Sequence, residues 1–258
     1  MKIIVCIKQV PASGKVEIDT ETGTLRRLKT ENKTNSYDLF AIETALRLKE
    51  ASGGTVTALT MGPSQAEEVL RDAYMMGVDE CVLLCDKNFA GADVLATSYT
   101  LSQGIRLLGG YDLILCGKQT TDGDTAQVGP ALAEHLGIPH VAWARGLTLS
   151  PGGLRAVHDL SSTTQVSELS LPCLVTVDSG HCVPRLPSYR LQKLTAGRPI
   201  RVAALSDLPD KDLTRYGLTG SPTAVRRSFP PPATGTRQML EGDKAEALCN
   251  ILAEKKFI

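Results

Sequence analysis

A chain of 258 residues, 42% of them apolar, is long enough to bury one sizeable core and carry an appendage. Lys plus Arg and Asp plus Glu both total 28, so the formal charge is zero, which argues against nucleic acid or an anionic membrane as the main partner. No apolar run reaches membrane-spanning length, and the first, at residues 3–7, is too short for a signal-peptide core, so a cytoplasmic location without membrane insertion is expected.

Seven cysteines are scattered without a Cys-x-x-Cys or a Cys/His cluster. That spacing supports neither a disulfide framework nor a metal site, and it fits a reducing compartment. Cys6, Cys85 and Cys116 fall in strand-like runs, where a buried thiol is the ordinary expectation.

Residues 2–8 read as a continuous apolar strand, the pattern of a parallel sheet covered on both faces, followed by a loop, Gln9-Val10-Pro11-Ala12-Ser13-Gly14. Residues 15–27 alternate as a small hairpin about Thr20-Glu21-Thr22-Gly23. Asn35-Ser36 precedes a helix over residues 37–51, with Leu39, Ile42, Ala45, Leu46 and Leu48 on one stripe. A strand at 55–61 ends in Gly62-Pro63, and Ser64 with Glu67 reads as a capping box for a helix that closes at Gly77. A strand at 80–85, a helix at 93–108 and a strand at 111–117 continue the alternation. The fold class that follows is α/β, a Rossmann-like, mostly parallel sheet flanked by helices.

The strand at 111–117 stops in Cys116-Gly117-Lys118-Gln119-Thr120-Thr121-Asp122-Gly123-Asp124-Thr125-Ala126-Gln127-Val128-Gly129-Pro130, and a helix is expected over 126–136. A buried strand feeding a helix start through such a loop makes an anion site, because the first N–H groups of the helix lack partners and its dipole favours negative charge. Gly117, Gly123 and Gly129 permit close backbone approach, and Thr120, Thr121, Thr125 and Gln127 add donors. The stretch matches neither G-x-G-x-x-G nor the Walker A pattern, so it points to a nucleotide-sized anion without specifying nicotinamide binding or hydrolysis. Asp122 and Asp124 could hold Mg²⁺ beside a phosphate, although complementing the helix dipole or capping the helix start is the more economical role.

Beyond Pro139 the rhythm changes. Strands at 141–150, 154–160 and 173–178 follow one another without helices, which suggests antiparallel additions to the sheet edge. From Ser179 onward prolines punctuate a stretch with little periodicity, and only 243–255 reads as a helix, with Ala245, Leu248, Cys249 and Leu252 on one face. Residues 1–179 are expected to form the α/β nucleotide-binding domain, and 180–258 an extended C-terminal arm that wraps another polypeptide. Disorder is the competing account of the arm. In Pro184-Arg185-Leu186-Pro187-Ser188-Tyr189-Arg190-Leu191-Gln192-Lys193, the side chains of Leu186, Tyr189 and Leu191 stand among cations, a poor core element and a good docking loop.

Open α/β sheets bind ligands at the carboxyl ends of their strands. The candidate cofactor-binding residues at those ends are Cys6, Lys8, Met61, Gly62 and the loop from Cys116 to Val128, with Asn35 and Ser36 as a fourth wall or a plain helix cap. His135, His140, His158 and His181 are isolated from any nucleophile, and no acid–base pair stands out. The chain looks able to hold a nucleotide and poor in machinery to transform it.

Along nearly its whole length the sequence resembles the β subunit of electron-transfer flavoproteins. The resemblance rests on Lys2-Ile3-Ile4-Val5-Cys6-Ile7-Lys8-Gln9-Val10-Pro11, Leu46-Arg47-Leu48-Lys49-Glu50, Thr60-Met61-Gly62-Pro63, Gly117-Lys118-Gln119 through Gly129-Pro130, and Pro184-Arg185-Leu186-Pro187-Ser188, which looks like the start of the family's partner-recognition loop. It implies a heterodimer with an α subunit carrying a redox-active FAD. By position it also implies a nucleotide site formed by Cys6, Asn35, Ser36, Tyr37, Asp38, Met61 and the Gly117-to-Val128 loop. The family's usual Asn-Pro-Phe stands here as Asn35-Ser36-Tyr37.

The ligand implied is FAD, or AMP as in simple single-flavin carriers. Asp122-Gly123-Asp124-Thr125-Ala126-Gln127 is smaller than the loop of those carriers and looks like the branch with a second FAD, since Gly and Ala leave room for a pyrophosphate. The implied function is electron transfer between an acyl-CoA or hydroxy-acid dehydrogenase and a further acceptor, with NADH or ferredoxin and electron bifurcation in that branch. Oxidoreductase activity is expected only in the complex. A stand-alone ATP pyrophosphatase would want Ser-Gly-Gly where Gln9-Val10-Pro11-Ala12 stands, and a nucleotide-sensing module would leave the arm without a purpose.

Overall fold

The computed structural model describes residues 1–12, 17–18, 25–26, 32–160, 162–180, 182–226 and 239–258. The predicted Thr20-to-Gly23 turn, His181 and the Pro230-Pro231-Pro232 run lie outside the described residues. The first elements are β1 (Lys2–Cys6), β2 (Gln9–Pro11), β3 (Glu17–Ile18), β4 (Leu25–Arg26) and β5 (Asn32–Thr34). Then come α1 (Ser36–Ser52), β6 (Thr55–Met61), α2 (Glu67–Met76), β7 (Glu80–Leu84), α3 (Val94–Leu108), β8 (Leu113–Gly117) and α4 (Val128–Leu136). The chain continues with β9 (His140–Ser150), β10 (Gly153–Leu160), β11 (Thr163–Leu169), β12 (Cys173–Val177), α5 (Tyr189–Thr195), β13 (Arg201–Ala203) and α6 (Lys244–Glu254).

Two compact units arise, Met1–Val16 with Arg27–Arg226, and Glu17–Arg26 with Arg227–Ile258. The first contains a nine-stranded sheet of order β11-β10-β9-β12-β8-β1-β6-β7-β13. Its central strands are buried on both faces, as the unbroken apolar runs demand. Residues of α1 and α2, such as Ile42, Leu46 and Leu70, pack with Ile3, Val5 and Leu115 on one face. Residues of α3 and α4, such as Ile105, Leu132 and Ala133, pack with Ile4, Leu59 and Ile114 on the other.

Several expectations need correction. Of the three strands expected to add antiparallel at the edge, β9 and β12 run parallel to the core strands, because α4 supplies the crossover that a parallel neighbour of this sheet needs. Antiparallel pairing in this sheet belongs to β10, which pairs with β9 and with a strand missed in the sequence, β11. Gln9–Pro11 is not loop but pairs antiparallel with Asn32–Thr34. Ser64 opens a short 3-10 turn before α2, and no side chain caps it, so the capping box does not form.

The stretch after Ser179 holds more regular structure than its prolines suggest. Ser188 caps α5 by accepting from the Leu191 N–H, and β13 pairs in parallel with β7 at the sheet edge. In the second unit β3 and β4 pair antiparallel. Asp243 opens α6 by accepting from the Ala245 and Glu246 N–H groups, and no residue of α6 is buried.

Candidate functional site

Beyond β1 the strand order reverses. β6 and β7 extend the sheet on one side of it, and β8 and β12 on the other. Ligands of open α/β sheets bind outside the carboxyl ends of strands at such a reversal. Cys6 and Cys116 face each other in register there, both buried and both free thiols. The hydrogen bond with Cys6, helped by burial, holds the Cys116 pKa well above its usual value, so it stays a neutral wall. Met61 and Val128 pack against the same cluster as these two cysteines, while Gly62 closes β6 with its N–H on Leu84 O at 3.0 Å.

The loop after β8 is fixed from below by α1. A Cβ at Gly117 would lie 2.3 Å from Asp38 Oδ1 and 2.7 Å from the Tyr37 carbonyl carbon, so only glycine lets the strand end pass this close. Asp38 is buried and accepts from the Lys8 N–H at 2.7 Å. Burial pushes its pKa up to about 7, against the lowering pull of Asn35, the Lys8 and Gly117 N–H groups and the Lys8 charge. Asn35 precedes α1 without capping it. Its side chain instead donates to Gln119 O at 2.8 Å and accepts from the Thr121 N–H at 3.2 Å, so it holds the loop and is not the plain cap. Ser36 and Tyr37 are half-buried at the start of α1.

Above that base the loop turns back on itself. The Asp124 N–H donates to Thr120 O at 2.9 Å and the Gly123 N–H to Thr120 Oγ1 at 3.3 Å. Asp124 and Ala126 have left-handed backbones, φ 53° and 55°, which delays the helix to Val128, two residues later than the pattern suggests. Neither aspartate caps α4, contrary to the economical expectation. Asp122 pairs with Lys8 Nζ at 2.7 Å, and Asp124 accepts from the Gln119 amide. No side-chain cap closes the start of α4, where Val128 and Gly129 supply the first N–H groups and Pro130 has none. Thr121, Thr125 and Gln127 line its exposed rim.

On the far flank stand Thr176 and Trp143, which the sequence reading missed. A Cβ at Gly129 would lie 2.3 Å from the Thr176 methyl, so α4 starts directly against β12. Lys118 is tied to Val177 O through its N–H and to Asp178 through Nζ, both at 2.9 Å, and its ammonium lies 4.9 Å from the Trp143 ring centre. Nothing in the apolar run around Trp143 signals this, because the neighbourhood arises from an irregularity in strand pairing. The uncapped helix start and the two lysines fit a phosphate group.

The stretch expected to dock a partner lies elsewhere on the same unit. Arg185 donates to buried Glu43 through its N–H at 3.1 Å and Nε at 2.7 Å, and to Glu50 through Nη1 at 2.7 Å. Leu186 and Tyr189 are 85% and 72% exposed, and Arg190 is exposed, whereas Leu191 is half-buried beside Gly77.

The model of the electron transfer flavoprotein domain matches residues 22–208. The electron transfer flavoprotein subunit beta of Clostridium acetobutylicum is 39% identical over 256 residues, spanning 99% of this chain and 98% of that protein. The chain belongs to the electron transfer flavoprotein β-subunit family. It is also 41% identical to the acryloyl-CoA reductase electron transfer subunit gamma of Anaerotignum propionicum over 100% of both chains, and 40% identical to the protein FixA of Bradyrhizobium diazoefficiens over 100% of this chain and 92% of that one. As a β-type electron transfer subunit it needs no acid–base dyad of its own, because in a flavoprotein the cofactor supplies the redox chemistry and the protein supplies binding and orientation. Among the described residues, no helix is long and apolar enough to cross a membrane.

Proposed function

We propose that this subunit binds FAD in the crevice between the ends of β1 and β8 and, in a heterodimer with an α subunit, passes electrons between a dehydrogenase and a further acceptor. The observation that carries the reading is the loop after β8 feeding the uncapped start of α4 at the strand reversal. The α4 N–H groups and Lys118 hold the phosphates, Cys6, Met61, Cys116 and Val128 form the apolar wall for the adenine, and Asn35 and Asp38 keep the loop in place. A bound flavin supplies one- and two-electron transfer.

Exposed Leu186 and Tyr189 dock the dehydrogenase, and the chain beyond residue 227 embraces the α subunit. A dehydrogenase acting on an acyl-CoA fits the relative named for acryloyl-CoA reductase. Splitting of the electron pair of NADH, with ferredoxin as one acceptor, extends the same reading. One observation favours a second reading, with AMP as a structural filler: the Lys8–Asp122 pair narrows the crevice over the loop. Counting cofactors per heterodimer by acid release and chromatography decides. Two FAD support the first reading and one FAD with one AMP the second, while a complex lacking any nucleotide in this subunit removes both.

A further inference from the structure

Trp143 is the chain's single tryptophan, and it holds a left-handed backbone, φ 59°, that bulky residues rarely adopt. The pairing of β9 with β12 shifts register between Val175 and Val177, so Ala142 and Trp143 both stand opposite Thr176. The Trp143 N–H leaves the ladder and donates to Thr176 Oγ1 at 2.8 Å. A bulge of this kind re-aims a side chain and is over-represented beside functional sites. Strained backbone persists where its surroundings over-determine it. Here Thr176 is wedged against the first turn of α4, where a Cβ at Gly129 would touch its methyl. The product is an indole 45% exposed, with the Lys118 ammonium over one face of its ring, so that the opposite face is the one on offer.

The geometry points to Trp143 as the end plate of the crevice, the surface on which the flat heterocycle of a dinucleotide rests. This assignment deepens the proposed FAD reading and rests on it. In strand order, Met61 on β6 and Trp143 on β9 are separated by β1, β8 and β12, four inter-strand steps or about 19 Å. The α4 start lies between those flanks, against Cys116 and Thr176. A mononucleotide seated on the Cys6 and Met61 side stops at the phosphates, whereas the second half of a flavin dinucleotide continues towards Trp143.

The test uses the heterodimer stripped of nucleotide, with Trp143→Phe as the reference whose subtraction isolates the emission of Trp143. FAD is expected to quench that emission strongly and AMP to leave it unchanged. Trp143→Gly, which relieves the backbone rather than straining it, is expected to weaken FAD binding about tenfold and to leave AMP binding unaltered. FAD that binds this subunit without touching Trp143 emission, and equally well in Trp143→Gly, overturns the plate while the FAD reading stands. A subunit that takes up AMP and no FAD overturns both. An indole already shielded from iodide in the stripped heterodimer shows a protein contact at that surface, and the assignment falls.

Discussion

Lys8 and Asp122 meet at 2.7 Å, joining the segment after β1 to the loop after β8. Burial works against the Asp122 carboxylate, but the Lys8 ammonium outweighs it and holds the pKa below the usual range. With side chains 44% and 35% exposed, the pair adds little to stability, under about 1 kcal/mol. Its weight falls on the ligand. Asp122→Asn frees Lys8 for a phosphate and is expected to tighten AMP binding, whereas Lys8→Met is expected to weaken it about tenfold and to flatten its salt dependence. Calorimetric titration at two ionic strengths checks both directions.

Asp38 sets a pH dependence. Its folded pKa of about 7 lies above the ordinary 3.8, so between these values the folded chain holds a proton that the unfolded chain has released. The stabilising contribution is therefore complete below about pH 4 and is lost as the pH rises to about 7. Urea midpoints of the wild type should fall across that window more steeply than those of Asp38→Asn. Parallel curves for the two proteins would show that Asp38 does not titrate there.

Gly129 and Thr176 should behave as one unit. Gly129→Ala places a methyl 2.3 Å from Thr176 Cγ2 and is expected to cost about 1–3 kcal/mol. Thr176→Ser deletes that methyl and keeps the hydroxyl that accepts from Trp143. The double variant should recover most of the loss, a coupling read directly from a double-mutant cycle of unfolding energies.

Arg185 orders the segment that presents Leu186 and Tyr189. Its guanidinium engages two carboxylates at once, a geometry that the point charge of lysine does not reproduce. Arg185→Ala is expected to destabilise the chain by about 2 kcal/mol, since Arg47 still pairs with Glu43, and Arg185→Lys should rescue little of it. Leu186→Ala and Tyr189→Ala should instead leave stability and flavin content intact while slowing electron transfer with the dehydrogenase in stopped-flow mixing. Equal transfer rates in these two variants would move the docking surface elsewhere.

The central sheet was legible because its strands are buried on both faces and leave apolar runs, so residues 2–8 and 111–117 announce themselves. The loop from Gly117 was legible for a related reason, since small and polar residues interrupt such a run before a helix. What stayed hidden depends on distant partners. That β12 inserts between β9 and β8 is decided by pairing choices that periodicity does not encode, and β13 is only three residues long. Asn35 looked like a cap because the residue type is right for one; its turn towards Gln119 and Thr121 depends on a loop more than eighty residues away. Trp143 escaped notice because a bulge, not a motif, sets its direction.

The last helix carries a further consequence. Isolated helices shorter than about 12–15 residues are marginal in water, and no residue of α6, an eleven-residue segment, is fully buried among the described residues. Its helical order should therefore rise when a companion surface covers Leu248 and Leu252, coupling the folding of the tail to assembly. Trypsin sensitivity at Lys244, Lys255 and Lys256 would then report how much of the protein is in complex.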